Sequence, residues 1–411
     1  MATNRSHLMA AIRPYLHVFS IFAITPPVAC FQKSLRNSWC SYLVPGYACY
    51  ALGIFLLVMY ECYINMTALE REIEDFKVED FTLFMGNTHK ILMALVLFCN
   101  HLNMLTQWRR LKNIFKDMGD LDEQVDKALE QYGGRVSLGK FRLRLALGVG
   151  WWMCFCVVAI PYLTNLAIGP YVRWPNKVLT QFILVMIQLK GQEFCVFVIL
   201  IQEFIRRLRH TLEKILEELI DCEEPEELQK LCVALRQNQT LAGRVWHLVE
   251  EVSGYFSFPI IFMLLYNGLT ILHVVNWAYI KQLVIDDDMK YLRPLRCLVL
   301  LTSLLIVSFH SDRCIKGYNK GIPRLLHRMS TIPAASSFVT LKMGIREYTL
   351  QMQHLKLHFS CGGFFDINLK HFAGIVVTIY GYVVILLQFK IQSIAEEKYK
   401  LIFNNSATEF T

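Results

Sequence analysis

The sequence predicts an all-α, polytopic membrane protein with seven transmembrane helices, a cytoplasmic N-terminus, an extracellular C-terminus and helical extensions into the cytoplasm. Three observations predict it. The 411 residues are 54% apolar and 13% aromatic against 18% charged, with a positive mean hydropathy, too apolar for a soluble chain of this length. Seven runs of about 20 mostly apolar residues, the length that crosses a hydrocarbon core, are separated by charged or turn-rich segments. Lys and Arg fall unevenly on the two sides of those runs, 29 on one side and 11 on the other, and basic residues are retained on the cytoplasmic side.

Residues 1–42 form a cytoplasmic N-terminal segment. Its apolar stretch from Tyr15 to Phe31 is interrupted by Pro26 and Pro27, which lack the N–H groups that lipid cannot replace, so it reads as a re-entrant or interfacial segment. No compact apolar core there ends in a small-residue cleavage site, and the first span serves as the insertion signal. The spans are placed at 43–63, 87–105, 145–167, 178–197, 256–280, 291–310 and 369–391, with 311–368 a cytoplasmic helical segment and 392–411 an extracellular tail.

The long connections read as helices. From Arg206 the run RRLRHTLEKILEEL puts Leu212, Ile215, Leu216, Leu219 and Ile220 on one face, the 3.6-residue spacing of an amphipathic helix. Glu-Glu-Pro-Glu-Glu at 223–227 interrupts it, and Pro225 opens a second helix with acidic residues in its first turn and Leu228, Leu231, Leu235, Leu241, Val245 and Leu248 as its apolar stripe. These two helices extend spans four and five into the cytoplasm, and a third amphipathic segment, Phe338 to Phe359, precedes the last span. Such stripes serve intramolecular packing or subunit association, and the pattern alone does not separate the two.

Enzyme signatures are absent: there is no G-x-S-x-G, no G-x-x-x-x-G-K and no H-E-x-x-H, and no cofactor or nucleic acid is implied. Gly148-Val149-Gly150 lies inside the third span without the strand a nucleotide loop requires. His354 and His358 have a metal-ligand spacing on a helix, although a solvated face of a cytoplasmic helix is the simpler explanation. Asp286, Asp287 and Asp288 are a solvated charge run that would also concentrate cations near a pore mouth. Lys190 and Glu193 stand one turn apart in the fourth span, either as a buried ion pair or as markers of its inner boundary. Sequons place glycans at Asn65 and Asn404, on the predicted outer side. The thirteen cysteines are scattered through the spans, so they offer no extracellular disulfide framework.

The outer halves of spans two to six carry His89, Tyr162, Trp174, Gln181, Asn267, His273, Asn276 and Trp277 in an aliphatic setting. An apolar lining with a few polar groups is the composition of a small-molecule pocket, while single aromatics at that depth are equally at home in an interfacial belt.

The segment from Ser360 to Phe389, SCGGFFDINLKHFAGIVVTIYGYVVILLQF, resembles the C-terminal region of insect gustatory receptors. A C-G-x-F-type turn precedes a last span in which Tyr382, five apolar residues from Val383 to Leu387, Gln388 and Phe389 stand in order. It departs at one place: Gly381 stands where that family has Thr, and Thr378 lies one turn earlier. The resemblance implies a plasma-membrane receptor of gustatory-neuron dendrites that detects small-molecule tastants as a ligand-gated cation channel subunit. Residues 43–310 would then hold the ligand site. The span 369–391, with Thr378, Tyr382, Val383, Ile385, Leu386, Gln388 and Phe389, would line the pore, and cytoplasmic helices would join subunits into a homo- or hetero-tetramer in contact with membrane lipid. The lack of a carboxylate-rich outer pocket points to apolar, bitter-type ligands. Alternatives are an odorant receptor of the same superfamily, a G-protein-coupled receptor, or a secondary transporter using Lys190 and Glu193.

Overall fold

The computed structural model describes residues 7–27, 39–76, 80–132, 137–167, 173–222, 224–284, 292–333 and 338–408. In lipid every backbone N–H must be satisfied within its own segment, and the described chain is accordingly helical apart from one small hairpin. In order it forms α1 (His7–Ile21), α2 (Trp39–Phe76), α3 (Asp80–Thr106), α4 (Trp108–Glu130), α5 (Leu138–Leu145), α6 (Trp151–Ala167), α7 (Trp174–Asp221), α8 (Pro225–Val284), α9 (Leu292–Lys316), α10 (Ile322–Ser330) and α11 (Val339–His354). A hairpin, β1 (Ser360–Cys361) and β2 (Phe365–Asp366), leads into α12 (Leu369–Thr408). Among the described residues seven helical stretches are long and apolar enough to cross a membrane, and each overlaps one of the seven expected spans.

The fourth span is the axis of the bundle. Every residue of α7 from Ile183 through Ile201 is buried, with α2, α6, α8 and α9 packed around it. The helices around it turn apolar side chains outward: Leu52, Leu56 and Tyr60 on α2, Phe98 and Leu102 on α3, and Val158 on α6 are exposed, as a surface facing acyl chains requires. Close approach is bought by Gly148, within the π-turn Ala146–Gly150 that joins α5 to α6. A Cβ at Gly148 would lie 2.8 Å from Ile199 Cδ1 and 3.0 Å from His310 Cε1, so a larger residue would displace the Ile199 and His310 side chains that pack there.

Beyond the spans, α7 and α8 continue as a long antiparallel pair, with Leu212, Ile215, Leu216 and Leu219 packed in a continuous apolar seam with Leu228, Leu231, Leu235 and Val245. Ile220, expected on the same face, is instead exposed because it falls off the stripe by one residue at the helix end. The break at 222–224 and the restart at Pro225 follow the expected pattern. Asn238 ties this extension together: its Nδ2 donates to Leu208 O at 3.1 Å and its Oδ1 accepts from the buried Tyr348 hydroxyl at 2.8 Å. The sixth span also extends, through the π-turn Gly317–Gly321 into α10, within the segment 311–368 that the sequence reads as helical.

The N-terminal segment enters this bundle. The first free amide of α1, at Leu8, donates to Asp122 Oδ2 on α4 at 3.1 Å, so a carboxylate from another helix caps the positive end of α1. Asp122 Oδ1 also accepts from Arg207 at 3.1 Å, and Arg207 pairs with Asp126 and lies 3.6 Å from Glu203. Burial outweighs the attraction of Arg207 and raises the Asp122 carboxyl to about 6. After α1 the chain turns through Ala23, at φ 53°, and the Tyr47 hydroxyl holds that turn through the carbonyls of Ser20 and Thr25 at 3.2 and 2.8 Å.

Two boundaries differ from expectation. The amphipathic segment from Phe338 is helical only to His354, because the Asn319 side chain captures both backbone groups of Leu357, at 2.8 Å each, and holds that residue extended. His358 therefore lies beyond the helix, and the two-imidazole spacing with His354 is not realised. The last span also runs on: the backbone stays helical past 391 to Thr408, so the tail begins as helix.

Candidate functional site

At the end of the bundle opposite the α7–α8 extension, polar side chains from α2, α3, α7 and α8 meet in an otherwise apolar interior. Glu61 on α2 is fully buried, and its Oε1 accepts from Asn65 Nδ2 at 3.0 Å and Thr180 Oγ1 at 2.9 Å while its Oε2 has no partner. His89 on α3 stacks between Tyr266 and His273 of α8, with centroids 5.2 and 4.7 Å apart, and its Nε2 meets Thr270 Oγ1 at 3.0 Å. Gln188 on α7 donates to Asn267 Oδ1 at 2.8 Å. Asn276 donates to Thr82 at 3.1 Å, and the Trp277 ring lies edge-on to His273 at 6.3 Å.

Beside this layer lies a cavity of about 30 Å³ between α6, α7, α8 and α9, whose polar lining is Gln188, Tyr266, Thr270 and Arg296. That is room for about two waters, well below the few hundred Å³ of a site that encloses a small molecule. The bundle is therefore closed around a polar seed.

Of the eight pocket residues read from the sequence, the structure brings together His89, Asn267, His273, Asn276 and Trp277. Tyr162 and Trp174 are corrected: both are largely exposed on the outside of the bundle, the position of belt aromatics rather than pocket walls. Gln181 is half-buried away from the cavity lining. Sequence reasoning missed Glu61, Tyr266 and Thr270, and it counted Arg296 only among the basic residues of the outer side. A single carboxylate inside an apolar span was the available signal for Glu61.

Asn65 is also corrected. It lies inside α2 rather than in a loop, is 4% exposed, and its Nδ2, the atom a glycan would occupy, donates to Glu61 O, Glu61 Oε1 and Thr180 Oγ1 at 3.0, 3.0 and 2.9 Å. The folded chain leaves no room for a sugar there. Asn404 lies on the helical backbone of α12, and Asp286, Asp287 and Asp288 lie outside the described residues.

Lys190 and Glu193 form a buried ion pair rather than a boundary marker. Lys190 Nζ is 2.7 Å from Glu193 Oε2, both side chains are 0% exposed, and the ammonium sits over the rings of Tyr255 and Phe256 at 5.1 and 5.0 Å. The Thr25 hydroxyl donates to the other oxygen of Glu193, so the N-terminal turn is part of the same assembly.

The last span contrasts with α7. Within its apolar stretch Leu386 is the buried residue, and Phe372, Ile375, Ile379 and Val383 are partly covered on the same side, against α8 and α9. The other side, with Val377, Thr378, Tyr382, Ile385, Gln388 and Phe389, is exposed. Five of the seven residues read as pore-lining thus share the open face, while Val383 and Leu386 are corrected to the packed face. Asn368 caps this helix by accepting from His371 N at 2.8 Å, and the hairpin before it turns at Gly362 and Gly363, at φ 59° and 79°.

Comparison with known proteins agrees with this architecture. The family described as 7tm Chemosensory receptor matches residues 12–393. Two Drosophila melanogaster proteins, named "Putative gustatory receptor 98b" and "Putative gustatory receptor 98c", are 47% identical over 98% of this chain and 100% of the relative, and 46% identical over 96% and 97%. The structure of the insect olfactory receptor OR5 from Machilis hrabei superposes with a TM-score of 0.64 at 13% identity, and that of OR5 in complex with eugenol with 0.63 at 12%, each covering 93% of this chain and 98% of theirs. The fold is shared with a receptor for smell, whereas the sequence sides with receptors for taste, and no enzyme class enters. A membrane protein of seven apolar helices around a buried fourth span, this chain belongs to the 7tm chemosensory receptor family, among its gustatory members.

Proposed function

We propose that the chain is a subunit of a tetrameric, ligand-gated cation channel that detects small, mainly apolar tastants of the bitter type at gustatory dendrites. The observation that carries this reading is the exposure of α12: the most apolar span has a wholly uncovered face on which Gln388 stands among Tyr382, Ile385 and Phe389. A polar side chain on such a face is costly against lipid and useful against permeating ions or a neighbouring subunit. Four copies arranged around that face, joined through α10, α11 and the α7–α8 extension, would enclose a pore whose narrow ring is Ile385. The eugenol complex of the olfactory neighbour supports a small-molecule occupant for this fold.

Gating then follows from the packing. Ligand entering between α6, α7, α8 and α9 must enlarge the cavity, and both α8 and α9 pack on α12. A ligand that prefers the widened site shifts the population toward a displaced α12 and a wetted ring. The charge asymmetry of the connections orients the extension toward the cytoplasm and the C-terminus outward, where Asn404 becomes a glycan acceptor.

Epitopes on each terminus, read on intact cells, together with recordings under G-protein blockade while bitter compounds and sugars are applied, test the reading. An external C-terminus with a cation current supports it. An external N-terminus, or a response abolished by the blockade, overturns it in favour of a coupled receptor.

A further inference from the structure

The cavity between α6 and α9 has a chemical polarity. Two of its four polar residues are already engaged: Gln188 exchanges hydrogen bonds with Asn267, and Thr270 donates to Tyr266 O at 2.6 Å and meets His89 Nε2. The other two leave donor capacity facing the cavity. The Tyr266 hydroxyl is buried, with the residue 1% exposed, and has no hydrogen bond of good geometry, its polar neighbour being the Thr270 side chain. The Arg296 guanidinium, half-buried at the same cavity, pairs with no carboxylate among the described residues. Glu61, the carboxylate of the neighbouring layer, is held by Asn65 and Thr180 and lies in the field of Lys90, so among the described residues Arg296 has no counter-charge at this cavity. Burying a donor unpaired costs stability, and here the buried Tyr266 hydroxyl and the half-buried Arg296 side chain line one small space walled by Leu184, Val299 and Leu300.

A guanidinium and a phenol hydroxyl beside aliphatic walls select an oxyanion carried on an apolar body. We infer that the ligand of this site is a small amphiphilic acid, its carboxylate held by Arg296 and Tyr266 and its hydrocarbon or aromatic body against Leu184, Val299 and Leu300. This rests on the reading of the site as the tastant pocket, and it goes further by fixing the ligand's charge. The cavity accepts a carboxylate-sized group as it stands and must open for the rest, so the acid's head is the first part to be recognised. The cluster of His89 and His273 on α3 and α8, with Lys90 and Arg296 near it, adds no negative charge that would repel such a head.

The test uses the full chain in phosphatidylcholine nanodiscs, with hexanoate, octanoate and benzoate as probes and the matched alcohols and primary amines as controls, followed by saturation-transfer NMR and titration calorimetry. At least one acid is expected to bind about tenfold or more tighter than its alcohol, the range of a charge-assisted hydrogen-bonded pair. Arg296→Gln should erase that preference while leaving alcohol binding in place, Arg296→Lys should keep part of it, and Tyr266→Phe should lose several-fold. Leu300→Trp, which fills the cavity, should block acid and alcohol alike. Should Arg296→Gln fail to fold, Arg296→Lys and Tyr266→Phe carry the comparison.

The inference is overturned if acids bind no better than alcohols, if amines are preferred, or if the acid preference survives Arg296→Gln. It also falls if phosphatidylglycerol in the disc displaces the acid only when Arg296 is present, since the oxyanion is then a lipid phosphate. Acid binding without current leaves the inference standing and sinks the channel reading. Currents evoked by neutral compounds and indifferent to Arg296→Gln do the reverse.

Discussion

Removing one charge from the centre of α7 tests the energetics of the fold most directly. Lys190 and Glu193 are 2.7 Å apart and 0% exposed, so Lys190→Met strands a buried carboxylate whose remaining described partner is the Thr25 hydroxyl. Breaking a buried pair on one side costs about 3–5 kcal/mol. The cation–π contacts with Tyr255 and Phe256, at 5.1 and 5.0 Å, add about 1 kcal/mol in a desolvated site. The expected loss is therefore about 4–6 kcal/mol, comparable to the whole stability of many domains. Lys190→Met with Glu193→Gln removes both charges and should recover most of it, because an apolar or neutral pair of similar volume is often no worse than the ions it replaces. Folded fractions titrated with SDS in mixed micelles for wild type, both single variants and the double variant give the coupling energy, expected above about 2 kcal/mol. A Lys190→Met protein within about 0.5 kcal/mol of wild type, or a double variant as unstable as the sum of the singles, would falsify the assignment of a buried, mutually dependent pair.

Asp122 is raised from 3.8 to about 6 by burial, so the folded state binds the proton more tightly than the unfolded one. Stability is then greatest below the unfolded pKa and falls by about 3 kcal/mol as pH rises through the window from 3.8 to about 6; melting curves in nanodiscs should flatten over that window in Asp122→Asn, and an unchanged profile counts against the raised carboxyl. A Cβ at Gly191 would sit 2.8 Å from Met263 Sδ and 3.5 Å from Val307 Cγ2, and Gly191→Val should overpack the junction of α7, α8 and α9 at a cost of about 1–3 kcal/mol, read as a lowered SDS midpoint. On the open face of α12, Gln388→Lys should lower cation against chloride permeability, measured as a shift in reversal potential under asymmetric salt. Leu386→Ala, on the packed face, should leave selectivity alone and cost about 2–5 kcal/mol if its burial is core-like; a selectivity change from Leu386→Ala with none from Gln388→Lys would reverse the two faces.

What the sequence made legible follows a pattern. Span positions were legible because hydropathy reports the solvent, and the α7–α8 seam because Leu212, Ile215, Leu216 and Leu219 repeat at helical spacing. The N-terminal turn was not, since Thr25 meets Glu193 and Leu8 meets Asp122 across more than a hundred residues. Tyr162 and Trp174 misled because an aromatic near a span end satisfies a pocket and a membrane interface equally. Asn65 misled because a sequon carries no information about burial, while its partner Thr180 is 115 residues away. The end of α11 depended on Asn319, whose claim on Leu357 no local propensity records. For α12, periodicity showed an apolar helix on all sides, and only the packing of α8 and α9 against one side distinguished Leu386 from Gln388.

The burial of α7 bears on how the chain is made. A span carrying Gln188, Lys190, Gln192 and Glu193 in its interior partitions poorly into lipid as a lone segment, yet it is synthesised before α8 and α9, the helices that shield much of it. During biogenesis this helix must wait beside the translocon, or lean on α2 and α6, until its later neighbours arrive. Nascent chains truncated after Asp221 should therefore leave the fourth span readily extracted by alkali, and chains extended past Lys316 should retain it.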